Sequence, residues 1–145
     1  IYSFPMKYIP LDAKDRSYIG KSWNRKLIRG VQCILLATRG MVSPKLEFFE
    51  AAFGVDADEF LEIANMPEEY IIHRRKYEKN GASDWRKLYR DLSQNQKDEL
   101  FKLNMNNHIT EEHLVGIASR KFRRLLEHYI ESDRIISERR ARKRR

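Results

Sequence analysis

Cysteine is nearly absent. A single residue, Cys33, stands among 145. One thiol excludes an internal disulfide framework and any cysteine-based zinc or iron–sulfur site within the chain. It fits a reducing, cytoplasmic setting. Long apolar runs are missing too. The longest, residues 33–37, falls far short of the roughly 20 residues a membrane span needs. There are four prolines and six glycines, too few for a collagenous or linker-like chain. Phosphate-binding and nucleophile-elbow glycine patterns are absent, as is H-E-x-x-H. The sequence opens at Ile1 rather than Met, so a fragment or processed product is expected.

Apolar residues make up 41% of the chain, enough to exclude wholesale disorder. The length suits one domain. The net charge is +8, yet six of those charges sit in the last seven residues, Arg139, Arg140, Arg142, Lys143, Arg144 and Arg145. The body is close to neutral. Such a terminus could bind phosphates by counterion release, address a nucleus or an acidic membrane, or remain a solvated end.

Periodicity predicts an all-α domain of six or seven helices, preceded by an extended arm. Residues 1–11 combine aromatic and β-branched side chains with Pro5 and Pro10, which suits an edge strand or arm. A helix is expected over residues 18–38, with Trp23, Leu27, Val31, Ile34, Leu35 and Thr38 on its buried face. Arg25, Lys26, Arg29 and Gln32 fall mostly on the other. Ser43-Pro44 starts a second helix, and Gly54 ends it. Asp56 and Glu59 open a third as a capping box, which Pro67 stops. A fourth runs from Pro67 to Asn80-Gly81, Ser83 caps a fifth, and Ser93 with Gln96 opens a sixth. Thr110 is expected to cap a last long helix. Its stripe is Val115, Ala118, Phe122, Leu125, Tyr129 and Ile136, and it frays into the basic end. The expected divisions are an arm over residues 1–17, which could close a preceding domain, a helical domain over 18–138 and a disordered basic tail over 139–145.

Catalytic residues do not assemble in the pattern. His73, His108, His113 and His128 lack ligand spacing. Cys33 lies within a helix without a second activating partner and reads as a core thiol. The acidic groups at Asp56/Asp58/Glu59, Glu68/Glu69 and Glu111/Glu112 fall in first helical turns, where dipole and capping account for them. Gly30 and Gly116 read as helix glycines in close packing. Lys21, Arg25, Lys26 and Arg29, interleaved with Tyr18 and Trp23, could hold a phosphate or a base. A solvated face with Trp23 in the core is the alternative.

Several stretches carry a resemblance. They are Tyr2-Ser3-Phe4-Pro5-Met6-Lys7-Tyr8-Ile9-Pro10, Ile19-Gly20-Lys21-Ser22-Trp23-Asn24-Arg25-Lys26 and Ala37-Thr38-Arg39-Gly40. Phe48-Phe49-Glu50-Ala51-Ala52-Phe53-Gly54 and Met66-Pro67-Glu68-Glu69-Tyr70-Ile71-Ile72 complete them. Together they resemble the end of uncharacterised radical SAM proteins, where a helical region follows the last strand of a partial (β/α) barrel. The likeness extends to about Asn107. It implies a non-catalytic accessory domain whose partner is the catalytic domain of the same parent. It also implies that S-adenosylmethionine and a [4Fe–4S] cluster lie on that other part, since one cysteine cannot supply the family's C-x-x-x-C-x-x-C motif. Two other readings stand beside it: a basic module binding nucleic acid through its tail, and a homo-oligomerising helical domain.

Overall fold

A computed structural model describes residues 9–41 and 43–144. Residues 1–8 of the expected arm, together with Val42 and Arg145, lie outside the described residues. The all-α expectation holds: among the described residues there are helices and no strand. In order these are α1 (Arg25–Ala37), α2 (Leu46–Phe53), α3 (Ala57–Asn65), α4 (Glu68–Ile72), α5 (Arg74–Tyr77), α6 (Gly81–Arg90) and α7 (Gln94–Leu103). A 3₁₀ turn (Glu111–Leu114) and the long α8 (Arg120–Lys143) follow.

The starts of α1, α3, α7 and α8 fall where a short polar side chain accepts from an orphan backbone amide. Asp56 Oδ1 accepts from Glu59 N at 2.8 Å, and Ser93 forms a full capping box with Gln96, both as the sequence suggests. Five boundaries differ. Asn24 takes an extended backbone and caps Leu27 N at 2.8 Å, so α1 begins at Arg25 and not near Tyr18. Lys45 stands at the N-cap of α2 without a side-chain bond, leaving Ser43 and Pro44 outside. The expected fourth helix breaks at His73 (φ −115°, ψ 44°) into α4 and α5, and α6 starts at Gly81 instead of being capped by Ser83. Thr110 opens only the 3₁₀ turn. Gly116 then has φ +84°, outside any helix, and Ser119 caps α8 by accepting from Phe122 N.

α1 packs across α3 and α4, while α4 and α6 pack on α8. The core joins Cys33 and Ile34 of α1 to Ile63 of α3, Tyr70 and Ile71 of α4, Trp85 of α6, and Phe122, Leu125, Leu126 and Tyr129 of α8. Cys33 is fully buried, as expected of a core thiol, and burial pushes it up to about 11. Gly30 does mark a close approach: a Cβ there would lie 2.3 Å from Ala64 O. Gly81 serves the same end, because a Cβ would meet the Tyr70 hydroxyl at 2.5 Å.

Three core assignments change. Trp23 precedes the α1 cap, leaves the apolar stripe and is 44% exposed. The buried tryptophan is Trp85, stacked on Tyr89 with centroids 4.8 Å apart. Val115 and Ala118 precede α8 and are exposed.

Candidate functional site

Three arginines converge at the start of α1. Arg25 and Arg29 lie one turn apart on the helix, and Arg16 comes from the segment before it. With Gln32, Asn106 and Asn107 they line an open cleft of about 350 Å³, whose apolar part is Ile19 and Ile28. The α7–3₁₀ connection is tied to this end by Arg25 N, which donates to Met105 O at 3.0 Å. Asn107 adopts φ +56°, a left-handed conformation that Asn tolerates better than most residues.

Glu68 organises the wall. Its Oε2 accepts from Arg29 Nη2 at 3.0 Å and its Oε1 accepts from Asn107 Nδ2 at 2.8 Å. Burial pushes the Glu68 carboxyl up, but the bonds from Arg29 and Asn107 outweigh it and hold it below the usual range. The bond to Glu68 raises Arg29 in turn. Arg29 Nη1 also donates to Gln32 Oε1 at 3.3 Å. Arg25 is exposed, and its guanidinium has no ion-pair partner among the described residues.

The rest of the sequence-derived cluster disperses. Lys21 is exposed in the turn before α1. Lys26, expected on a solvated face, is 1% exposed, and its Nζ donates to Met66 O at 2.5 Å. Met66 is the C-cap of α3, so the ammonium meets the negative end of that helix. Burial nevertheless lowers Lys26 to about 8. Asp133 on α8 and Glu68 lie near enough to favour its charge, and burial raises Asp133 itself.

The basic terminus is ordered helix through Lys143, not a disordered tail. Nothing in residues 120–143 interrupts it: there is no Pro or Gly, Arg and Lys are good helix formers, and cations suit the C-terminal dipole. Arg139 is withdrawn from any phosphate role. It bonds both oxygens of Glu69, which is fully buried on α4, and Tyr77 Oη donates to Glu69 Oε1 at 3.1 Å. Arg140, Arg142, Lys143 and Arg144 remain exposed.

A second buried network escaped the sequence reading. Tyr70 Oη and His128 Nδ1 are 2.7 Å apart, and His128 Nε2 lies 3.0 Å from Asp84 Oδ2. Burial lowers His128, so the ring tends to neutrality. Tyr70 and His128 are both enclosed, which suits a brace between α4, α6 and α8 better than a reactive centre. Glu62 is similarly held by Arg86 at 2.9 Å and by Arg90 at 2.8 Å.

Among the described residues no three His, Cys, Asp or Glu side chains come together as a metal site, and no helix is long and apolar enough to cross a membrane. Arg25 and Arg29 were legible candidates for the cleft. Arg16, Asn106, Asn107 and the organising Glu68 were not, because 39 residues separate each of Arg29 and Asn107 from Glu68. No family model, curated protein or solved structure matches the chain.

Proposed function

We propose that this chain is a non-catalytic helical accessory domain that covers or extends the catalytic domain of its own parent protein. By the resemblance of its segments, that parent is a radical SAM protein, with S-adenosylmethionine and the iron–sulfur cluster on the other part. Cys33 is solitary, buried and protonated, a poor fit to any cluster here. The observation that carries the reading is α2. It holds Leu46, Phe48, Phe49 and Phe53 yet buries only Ala52. Leu46 is 68% and Phe49 48% exposed, and Leu36 and Met41, just before it, are exposed as well. An apolar helix left open in this way marks an interaction surface. The resembling segment from Phe48 to Gly54 forms part of that surface, and the one from Ala37 to Gly40 precedes it in the chain.

The test is association in trans. The parent's remaining part and this chain are produced separately, and their complex is measured by light scattering after gel filtration. Leu46→Glu with Phe49→Glu should weaken the complex at least about tenfold, or 1.4 kcal/mol, with circular dichroism unchanged. Full-strength association by the double variant overturns the reading. So does a parent gene with no three-cysteine cluster motif.

The exposed cations on the last turn of α8 favour a second reading, nucleic-acid binding. It would be steep in salt and indifferent to sequence. Removing residues 140–145, which spares Arg139, should abolish it. Retained DNA or RNA binding would refute it.

A further inference from the structure

We infer that the cleft between the start of α1 and the Asn106–Asn107 connection binds the phosphate of a small phosphomonoester. The donors are of the right kind. Guanidinium groups present paired N–H donors that match phosphate oxygens, and three arginines line this cleft with three side-chain amides, those of Gln32, Asn106 and Asn107. They are also held in place before any ligand arrives. Glu68 fixes Arg29 with one oxygen and Asn107 with the other, so two donors from distant segments keep a common orientation. That carboxylate is committed to those two bonds, and its single charge is outnumbered by Arg25 and Arg29 together.

Arg25 supplies the uncommitted cation, since its guanidinium has no ion-pair partner among the described residues. The first turn of α1 has no acidic residue, so its positive end adds to the same potential. The size favours a small ligand. About 350 Å³ falls at the low end of small-molecule pockets. Ile19 and Ile28 offer an apolar wall for the part of the ligand beyond the phosphate. This site stands apart from the exposed cations at the end of α8 and does not depend on the accessory-domain reading.

Amide and arginine side-chain resonances of the full chain report the binding. The titrants are adenosine 5′-monophosphate, glucose 6-phosphate and inorganic phosphate, with adenosine and a single-stranded oligothymidylate as comparators. At least one phosphate-bearing titrant should give saturable shifts at Arg25, Arg29, Asn106 and Asn107, while adenosine leaves them still. Arg25→Glu should weaken that binding tenfold or more. Arg25 is exposed, so circular dichroism should show the variant folded. Removal of residues 140–145 should leave the affinity unchanged. Three results overturn the inference: no saturable shift with any of the three titrants up to roughly 10 mM, weaker than almost any specific site; unchanged affinity in Arg25→Glu; or shifts at these residues from the oligonucleotide alone, lost with residues 140–145.

Discussion

Replacing Lys26 by Met should remove a rise of stability with pH that the buried ammonium produces. Lys26 is buried with its ammonium on Met66 O, and burial lowers it from 10.5 to about 8. The folded chain thus releases this proton near pH 8, whereas the unfolded chain keeps it until about 10.5. Between those values the unfolded state binds more protons, so the Lys26 contribution makes stability rise with pH. The slope is about 1.4 kcal/mol per pH unit, or about 2 kcal/mol between pH 8 and 9.5. Below pH 8 the cost of burying the charge is fully present. Lys26→Met removes that cost, roughly 3 kcal/mol from the shift. It also leaves Met66 O without its donor, which costs about 1–3 kcal/mol. The variant should therefore lie within about 2 kcal/mol of the wild type at pH 7.

Cys33, Tyr70 and Tyr129 are all raised by burial, so they act in the opposite sense near and above pH 9–10. Tyr70 and Tyr129 are present in both proteins and largely cancel in the difference, while the interaction between Cys33 and the Lys26 charge is part of what the difference reports. Urea unfolding of the pair at pH 7, 8, 9 and 9.5 measures that difference directly. Parallel profiles would show that Lys26 does not titrate as a buried cation, and its assignment to the core would fail.

Trp85→Ala should cost roughly 3–5 kcal/mol because its ring is fully buried, while Trp23→Ala should cost less than about 1 kcal/mol; the reverse order in urea unfolding would contradict both placements. Gly30→Ala should destabilise by about 1–3 kcal/mol despite the helix propensity of alanine, since the methyl meets Ala64 backbone. A thermal midpoint equal to or above that of the wild type would rule out this close approach. Arg139→Ala should cost roughly 1–3 kcal/mol, less than a fully enclosed pair because Arg139 is partly solvated, and Arg142→Ala should stay within about 0.5 kcal/mol. Equal effects in chemical denaturation would mean that the Glu69–Arg139 bond adds nothing.

Local chemistry was legible because it acts within one helical turn. Asp56 and Ser93 cap helices for reasons confined to the next three residues, and Met66 stops α3 before Pro67 through a clash with its immediate neighbour. The all-α class, the core role of Cys33, the tight packing at Gly30 and the α8 stripe from Phe122 to Tyr129 follow from the same short-range logic. Where two local signals competed, the pattern misled. Trp23 fits the apolar period of α1, but Asn24 caps more strongly than that period extends, so the tryptophan is left outside.

The sequence by itself determined the helical class, the caps of α3 and α7, the near-neutral body and the basic terminus. Tertiary structure alone decided which charges are buried and which stay available. Lys26 and Arg25 are adjacent and equally cationic, yet one faces the C-terminal carbonyl of α3 and the other faces solvent. Arg139 and Arg140 are likewise neighbours, and only Arg139 meets Glu69. Arg29 and Asn107 share a cleft because Glu68 gathers segments far apart in the chain. A charge's environment is set by whatever packs opposite it, and packing partners tens of residues away leave no mark in the local pattern.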